Sequence, residues 1–340
     1  MLRDVKPACA PGVDGIGAGA GVWRMLSASE VSCTAMALFF SACMRERTTP
    51  SVGRGAVIVP ILKKPAEECN LSNIRPITLQ CAFVKIHRKI LARRLGRILS
   101  SHPILHPAQE GFLPGGSTYR CIDTVLDIFE DAHERDTGVF ALFYDIRQAY
   151  DSVRHDDVVR ALQRLCMPAA FVDFVADSLR DMSSCVRTPY GRTESFPVLR
   201  SLAQGDPLAP LLYICYTDPL HCGLHRNPLY GGSEDGFLLA GCAVTGRIAS
   251  KGLADDTTAI SGTYQGLCRQ HHWATEWVHW GCSGFHPRKC ILACMEAGEV
   301  VANPSIRIEG VLLPPATLDQ DIPYLGAHLQ LNLGTQAAGR

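Results

Sequence analysis

The stretch "LADDTTAI", Leu253 to Ile260, decides how this chain is read. Leu253, Thr257, Thr258 and Ile260 suit a strand, and the two acids between them do not. Burying adjacent carboxylates without partners would cost several kcal/mol. In a continuous strand, neighbouring side chains point to opposite faces, so Asp255 and Asp256 could not serve one site. At the tip of a hairpin both carboxylates can approach one point, and exposure lowers their desolvation cost. Carboxylates that close repel each other and need a cation. Hard oxygen donors select Mg²⁺ or Mn²⁺ over zinc. Taken alone, such a pair is a turn or a helix cap far more often than a metal site.

A third acid lies upstream. "VFALFYDI", Val139–Ile146, is apolar enough for a strand buried on both faces, and Asp145 stands where it gives way to loop. If the two strands are sheet neighbours, Asp145 shares an edge with Asp255 and Asp256, although 255 − 145 = 110 sequence steps separate them. Three acids around two divalent ions suit in-line nucleotidyl transfer. One ion activates the attacking 3′-oxygen and the other neutralises the pyrophosphate leaving group.

The remaining chain is patterned as a globular protein. It has 340 residues, 47% hydrophobic and 19% charged, long enough for a large core or two lobes. Lys+Arg and Asp+Glu both number 33, which argues against a wholesale basic DNA coat and leaves room for a local basic groove. The 15 cysteines include no CxxC pair and read as reduced thiols of an intracellular protein, nuclear or cytoplasmic. The longest apolar run near the start, "TAMALFF", is too short to span a bilayer, and no membrane association is expected. Helices are expected from about Trp23 to Met44, over Phe83–Leu99, Thr118–His133, Asp156–Leu165, Ala170–Leu179 and Tyr264–Trp280, with a hairpin around Tyr190-Gly191. On the helix Phe83–Leu99, Ile86, Ile90, Leu91, Leu95 and Ile98 form an apolar stripe. Lys85, Arg88, Lys89, Arg93, Arg94 and Arg97 lie largely on the other side, as a solvated face or a nucleic-acid backbone contact. Asp206 and Pro207 open the helix that follows them, as candidate N-cap and first-turn residue. Cys282, His286, Cys290 and Cys294, with His271 and His272 upstream, match no common zinc spacing.

In this order the motifs resemble the reverse transcriptase domain of non-LTR (LINE-type) retrotransposons. "APGVDGI" (10–16) resembles that family's N-terminal block, and "VIVPILKKP", "NIRPITL" and "KIHRKILARRL" resemble its fingers segment. "QEGFLPGGST" (109–118), "FYDIRQAYDSV", "QGDPLAPLLY", "LADD", "GFHPRKC" and "YLGAHL" resemble the succeeding blocks, among them motifs A to E. Ala203, the Lys251-Gly252 pair and Leu253 depart from the family's usual residues.

The resemblance implies an α+β right-hand polymerase. Residues 1–135 would be mainly fingers, 136–326 mainly palm with an antiparallel sheet, and 327–340 a truncated tail with the thumb largely missing. It implies RNA-directed DNA synthesis by a two-metal mechanism, with Mg²⁺ (or Mn²⁺), an RNA template, a DNA primer and dNTPs as partners. The endonuclease and thumb regions would belong to a longer element. Asp145, Asp255 and Asp256 would bind the two ions, and Tyr150, five positions after Asp145, would be the steric gate against ribonucleotides. Gln204 and Gly205 would lie beside the incoming nucleotide. Arg75 with Lys63 or Lys64 would clamp the triphosphate. Lys289 would be the general acid for pyrophosphate, and Tyr324, Leu325 and Gly326 the primer grip. The alternatives are a catalytically inactive RNA-binding remnant, an RNA-templated RNA polymerase against which Tyr150 argues, and an α+β protein whose acids are turn caps.

Overall fold

The computed structural model describes residues 10–16, 26–64, 73–225, 235–240, 247–301 and 304–332. The start of the expected helix at Trp23 falls outside them. The chain divides into two compact units, each built from two stretches: residues 1–98 with 153–216, and residues 99–152 with 217–340.

The second unit is organised around the strand Val139–Tyr144, whose six residues are all buried. It lies at the centre of a five-stranded antiparallel sheet. Asp256–Ser261 pairs with it on one side, followed by Ser250–Leu253, and Ile291–Glu296 pairs on the other, followed by Glu299–Val300. Helices cover both faces, and the strand's alternation assigns its side chains between them. Val139, Ala141 and Phe143 join Cys121, Val125, Ile128 and Phe129 of the helix Thr118–Glu134 in one core. Phe140 and Tyr144 face the helix Tyr264–Trp280, through Tyr264 and His271 respectively. A strand covered on both faces has no polar side, which is why its sequence shows an unbroken apolar run. Both helices start where the sequence supplies a cap: the Ser117 hydroxyl accepts from the Arg120 N–H, and the Thr263 hydroxyl from the Gly266 N–H.

The first unit holds a second five-stranded sheet. Gly55–Leu62 pairs antiparallel with Ile74–Gln80 and parallel with Ser183–Thr188, which carries the short strands Gly191–Arg192 and Phe196–Pro197. The first long helix runs over Glu30–Arg45 and begins at Ser29, whose hydroxyl accepts from the Ser32 N–H. The helix Ala82–Ser101 starts against Asp14, whose carboxylate accepts from the Ala82 N–H at 2.8 Å. Gly12 is needed beside it, since a side chain there would run into the Gln80 carbonyl.

This helix keeps part of its expected pattern. Ile86, Leu91 and Leu95 are buried as the stripe requires, but Val84, His87, Arg88 and Leu99 are buried with them, and Ile98 is exposed. Arg88 therefore lies on the apolar side, not on the basic face. Its guanidinium pairs with the Asp206 carboxylate, and both side chains are about 4% exposed. The helix after "QGD" spans Ala209–His225. Asp206 precedes it and is buried. One of its oxygens accepts from the Leu208 N–H and the other meets Arg88. No helix of the described residues is long and apolar enough to cross a membrane.

Candidate active site

The acids of the opening stretch sit on a tight turn. Leu253 pairs with Asp256, so Ala254 and Asp255 form a two-residue hairpin loop, and Asp256 is the first residue of the returning strand. Ala254 has φ +62°, a left-handed conformation that costs an L-residue about 1–2 kcal/mol. This turn resolves the conflict in the sequence: Asp255 stands outside the strand, and both acids are exposed at its end.

Asp145 belongs to the neighbouring strand. The central strand ends at Tyr144, which pairs with Thr257, so Asp145 emerges beside the hairpin tip. Its backbone is gripped by the segment that carries Lys289: the Asp145 N–H donates to the Cys290 sulfur at 3.4 Å, and its carbonyl accepts from the His286 N–H at 2.8 Å. A bridge between Ile146 and Phe285 and a bond from the Arg147 N–H to the Gly284 carbonyl extend the contact. Cys290 thus has a structural task, as a sulfur acceptor beneath the acid. The Asp145 carboxylate meets the Lys289 ammonium at 3.2 Å.

Asp255 and Asp256 feel the neighbouring carboxylates. Asp256 is raised to about 6, first by partial burial in the protein wall, then by the Asp255 and Asp145 carboxylates. Asp255 is raised too, by burial and by Asp145. Tyr150 stands close enough to Asp255 for that carboxylate, after burial, to push its phenol above the ordinary range. Among the described residues, no three acidic, imidazole or thiolate groups enclose an ion in this side-chain arrangement, and Lys289 is the cation beside Asp145. The donor set nonetheless fits a hard divalent ion in kind. It consists of carboxylate oxygens only, at a water-accessible strand end, with a mutual repulsion that such a cation relieves.

The second unit therefore brings together Asp145, Tyr150, Asp255, Asp256 and Lys289. The first unit gathers the other sequence-derived candidates. Lys63 and Lys64 directly follow the strand Gly55–Leu62, and Arg75 lies on the strand paired with it, opposite Ile61. Asn73 closes this hairpin: its carbonyl accepts from the Lys63 N–H, and its side chain bonds both the N–H and the carbonyl of Lys64. Three residues beyond Arg75, the Thr78 N–H donates to the Gln204 carbonyl at 2.7 Å, so the QGD loop lies along the outer edge of the same strand. Gly205 is required there. Its φ is +114°, and a Cβ would stand 2.9 Å from the Thr78 carbonyl oxygen.

Tyr324 is placed differently from the other candidates. It is buried against Phe143, with ring centroids 5.3 Å apart, while Leu325 and Gly326 form the two-residue loop of the hairpin Ile322–Leu329.

Sequence reasoning gave no role to Gln109, which contacts the Ala254 turn directly. The available signal was its place in the QEGF block, whose spacing alone says nothing of its partner.

A profile of the family described as "Reverse transcriptase (RNA-dependent DNA polymerase)" matches residues 61–329. A "Retrovirus-related Pol polyprotein from type-1 retrotransposable element R2" of Popillia japonica is 27% identical over 286 residues, covering 82% of this chain and 38% of that protein. A "Probable RNA-directed DNA polymerase from transposon BS" of Drosophila melanogaster is 27% identical over 310 residues, covering 88% of this chain and 32% of that protein. The chain thus spans about a third of the length of these curated relatives. Among solved structures, apo telomerase from Candida tropicalis, truncated from its C-terminal domain, superposes with a TM-score of 0.58 at 12% identity, covering 90% of this chain and 60% of that one. At that identity the likeness is one of fold.

Proposed function

The chain belongs to the reverse transcriptase family, and on that footing we propose that it copies an RNA template into DNA, adding dNTPs to a primer 3′-hydroxyl. The observation that carries this reading is the meeting of Asp145 and the Asp255-Asp256 turn at the ends of adjacent strands.

Asp145, Asp255 and Asp256 would hold two Mg²⁺ (or Mn²⁺) ions, which supply Lewis-acid activation of the attacking oxygen and charge neutralisation at the phosphates. The protein's own groups do the rest. The Tyr150 ring stands beside Asp255 and would fill the space that a ribose 2′-hydroxyl needs. The Lys289 ammonium, already at an acid of the site, would hand its proton to the departing pyrophosphate. On the first unit, Arg75 with Lys63 and Lys64 would grip the triphosphate, and Gln204 and Gly205 would meet the nucleotide itself. The bulk of the fingers would then lie within residues 1–135 and of the palm within 136–326. The nucleic-acid partners and the regions outside this chain belong to the same proposal, since the relatives are longer.

The test supplies a primed RNA template, dNTPs and Mg²⁺. Extension is expected, and Asp255→Ala should lower its rate by about a hundredfold or more. Tyr150→Ala should keep extension and narrow the preference for dNTPs over ribonucleotides. Extension that survives Asp255→Ala places the chemistry elsewhere. Salt-dependent RNA binding with no incorporation by the unsubstituted chain makes it a non-catalytic RNA binder.

A further inference from the structure

We propose that Gln109 is the positioning residue of the carboxylate turn, holding Ala254 in the conformation that aims Asp255. This rests on the reading of Asp255 and Asp256 as metal ligands. Gln109 is 3% exposed, and its carboxamide is committed to backbone. Its Oε1 accepts from the Ala254 N–H at 2.9 Å and from the Gly111 N–H at 2.8 Å, and its Nε2 donates to the Ala254 carbonyl at 3.1 Å. The two N–H donors fix which way the amide faces, because the opposite flip would set an NH₂ against both. The side chain therefore pairs with Ala254 as a neighbouring strand's peptide would, just past the point where that strand ends.

The backbone around Gln109 is seated to match. Gln109 bridges in parallel to Gly252. The Glu110 N–H donates to the Gly252 carbonyl at 2.9 Å, and the Gly252 N–H donates to the Ala108 carbonyl at 2.8 Å. Glu110 is tied at 3.0 Å to Lys251 and at 2.6 Å to Arg120. These contacts account for the two departures before the acids. Lys251 answers Glu110. Gly252 leaves room for His221, whose imidazole would stand 2.6 Å from a Cβ at that position, and for the Gln109 amide, 3.3 Å from the same point. Gly111 is equally constrained, since a Cβ there would collide with the Ala254 nitrogen.

Two-residue hairpin loops favour Gly or Asn where φ is positive, and Ala supplies neither the freedom of the one nor the local hydrogen bonding of the other. An outside group must hold the turn, and Gln109 is the group bonded to both sides of Ala254.

The experiment is a double-substitution cycle on the full 340-residue chain, with Mn²⁺ as the probe. Mn²⁺ affinity is measured by titration calorimetry, and Ala254 amide exchange by mass spectrometry or NMR. Gln109→Leu, which keeps the bulk and removes the pairing, should weaken Mn²⁺ binding about 10- to 100-fold and speed the Ala254 exchange. In an Ala254→Gly background the same Leu substitution should cost no more than about threefold, because glycine adopts the turn unaided. A side chain that only adds stability would lower Tm in both backgrounds alike and leave Mn²⁺ affinity unchanged. If Gln109→Leu does not fold, Gln109→Glu replaces it, since it keeps the acceptor and loses the donor, and the same weakening is expected. Mn²⁺ affinity within twofold of the unsubstituted chain, or no relief in the glycine background, overturns the proposal. Asp255→Asn is run alongside. If it binds Mn²⁺ normally, the ligand assignment has failed and the positioning role falls with it. If it loses binding while Gln109→Leu does not, only the positioning role falls.

Discussion

The buried pair of Arg88 and Asp206 offers the most quantitative perturbation. Both side chains are about 4% exposed. Besides Asp206, among the described residues the guanidinium reaches the Ser178 carbonyl at 3.3 Å. Burial lowers Arg88 to about 10, still well above neutrality, and a guanidinium stays protonated in proteins, so the charge remains when its partner is removed. Asp206→Asn leaves an oxygen for the Leu208 N–H while deleting the negative charge. It should therefore cost about 3–5 kcal/mol, the penalty for an uncompensated buried charge. Arg88→Met leaves Asp206 with the Leu208 N–H and the Gln80 amide at 3.5 Å. That acid can take up a proton, so the loss should be smaller, about 2–4 kcal/mol. The double variant removes both charges and replaces one with an apolar chain of similar length, and should fall within about 1 kcal/mol of the unsubstituted chain. Urea unfolding followed by far-UV circular dichroism, extrapolated linearly, measures all four corners. The two single losses should overshoot the double loss by more than about 2 kcal/mol. Losses that add within about 0.5 kcal/mol would refute the reasoning, because they would mean that the two charges are solvated independently.

Two further outcomes follow from residues in the same unit. His87 lies between Phe40, stacked at 4.7 Å, and Phe174, and burial followed by the Arg88 and Arg94 charges lowers it to about 4. It is neutral when folded and protonates near pH 6.5 when unfolded. Unfolding therefore takes up a proton between about pH 6.5 and 4, and stability drops as the pH is lowered across that window. His87→Phe should flatten the fall between pH 7 and 5 in urea midpoints, and an unchanged slope would show that the imidazole is hydrated. Gly205→Ala should destabilise by about 1–3 kcal/mol through its left-handed φ and the approach to the Thr78 carbonyl, and should raise the KM for dNTPs. A variant as stable as its parent would show that the loop shifts freely.

The site's acids were legible in the sequence because each breaks a strong local pattern. Asp145 ends an apolar run and Asp255 interrupts a β-branched one, and the physics of strand ends then predicts where such residues must sit. The residues alone asked only that the two strands be neighbours, the resemblance implied an antiparallel sheet, and the register of Tyr144 with Thr257 brings the acids together. Arg88 was not legible. A helical wheel assigns a charged residue to the wet face, and only a partner 118 positions away makes the dry face habitable. The same holds for Asp206, whose position before a helix suggests a cap and whose second oxygen is used for the ion pair.

Gln109 shows why the support of a site is harder to read than the site itself. A ligand must be a particular residue type at the point of chemistry, so its identity carries the signal. A supporting residue is defined by the backbone it meets, here at Ala254, 145 positions onward, where the sequence shows an ordinary alanine. The departures at Lys251 and Gly252 were the readable trace of that support. Taken singly, they look like damage to a hydrophobic strand. Set beside Glu110, His221 and the Gln109 amide, each answers one group across the sheet edge. A lysine and a glycine placed before two acids are then what this acid-bearing hairpin needs when its neighbour is a polar strap and its turn residue is not glycine.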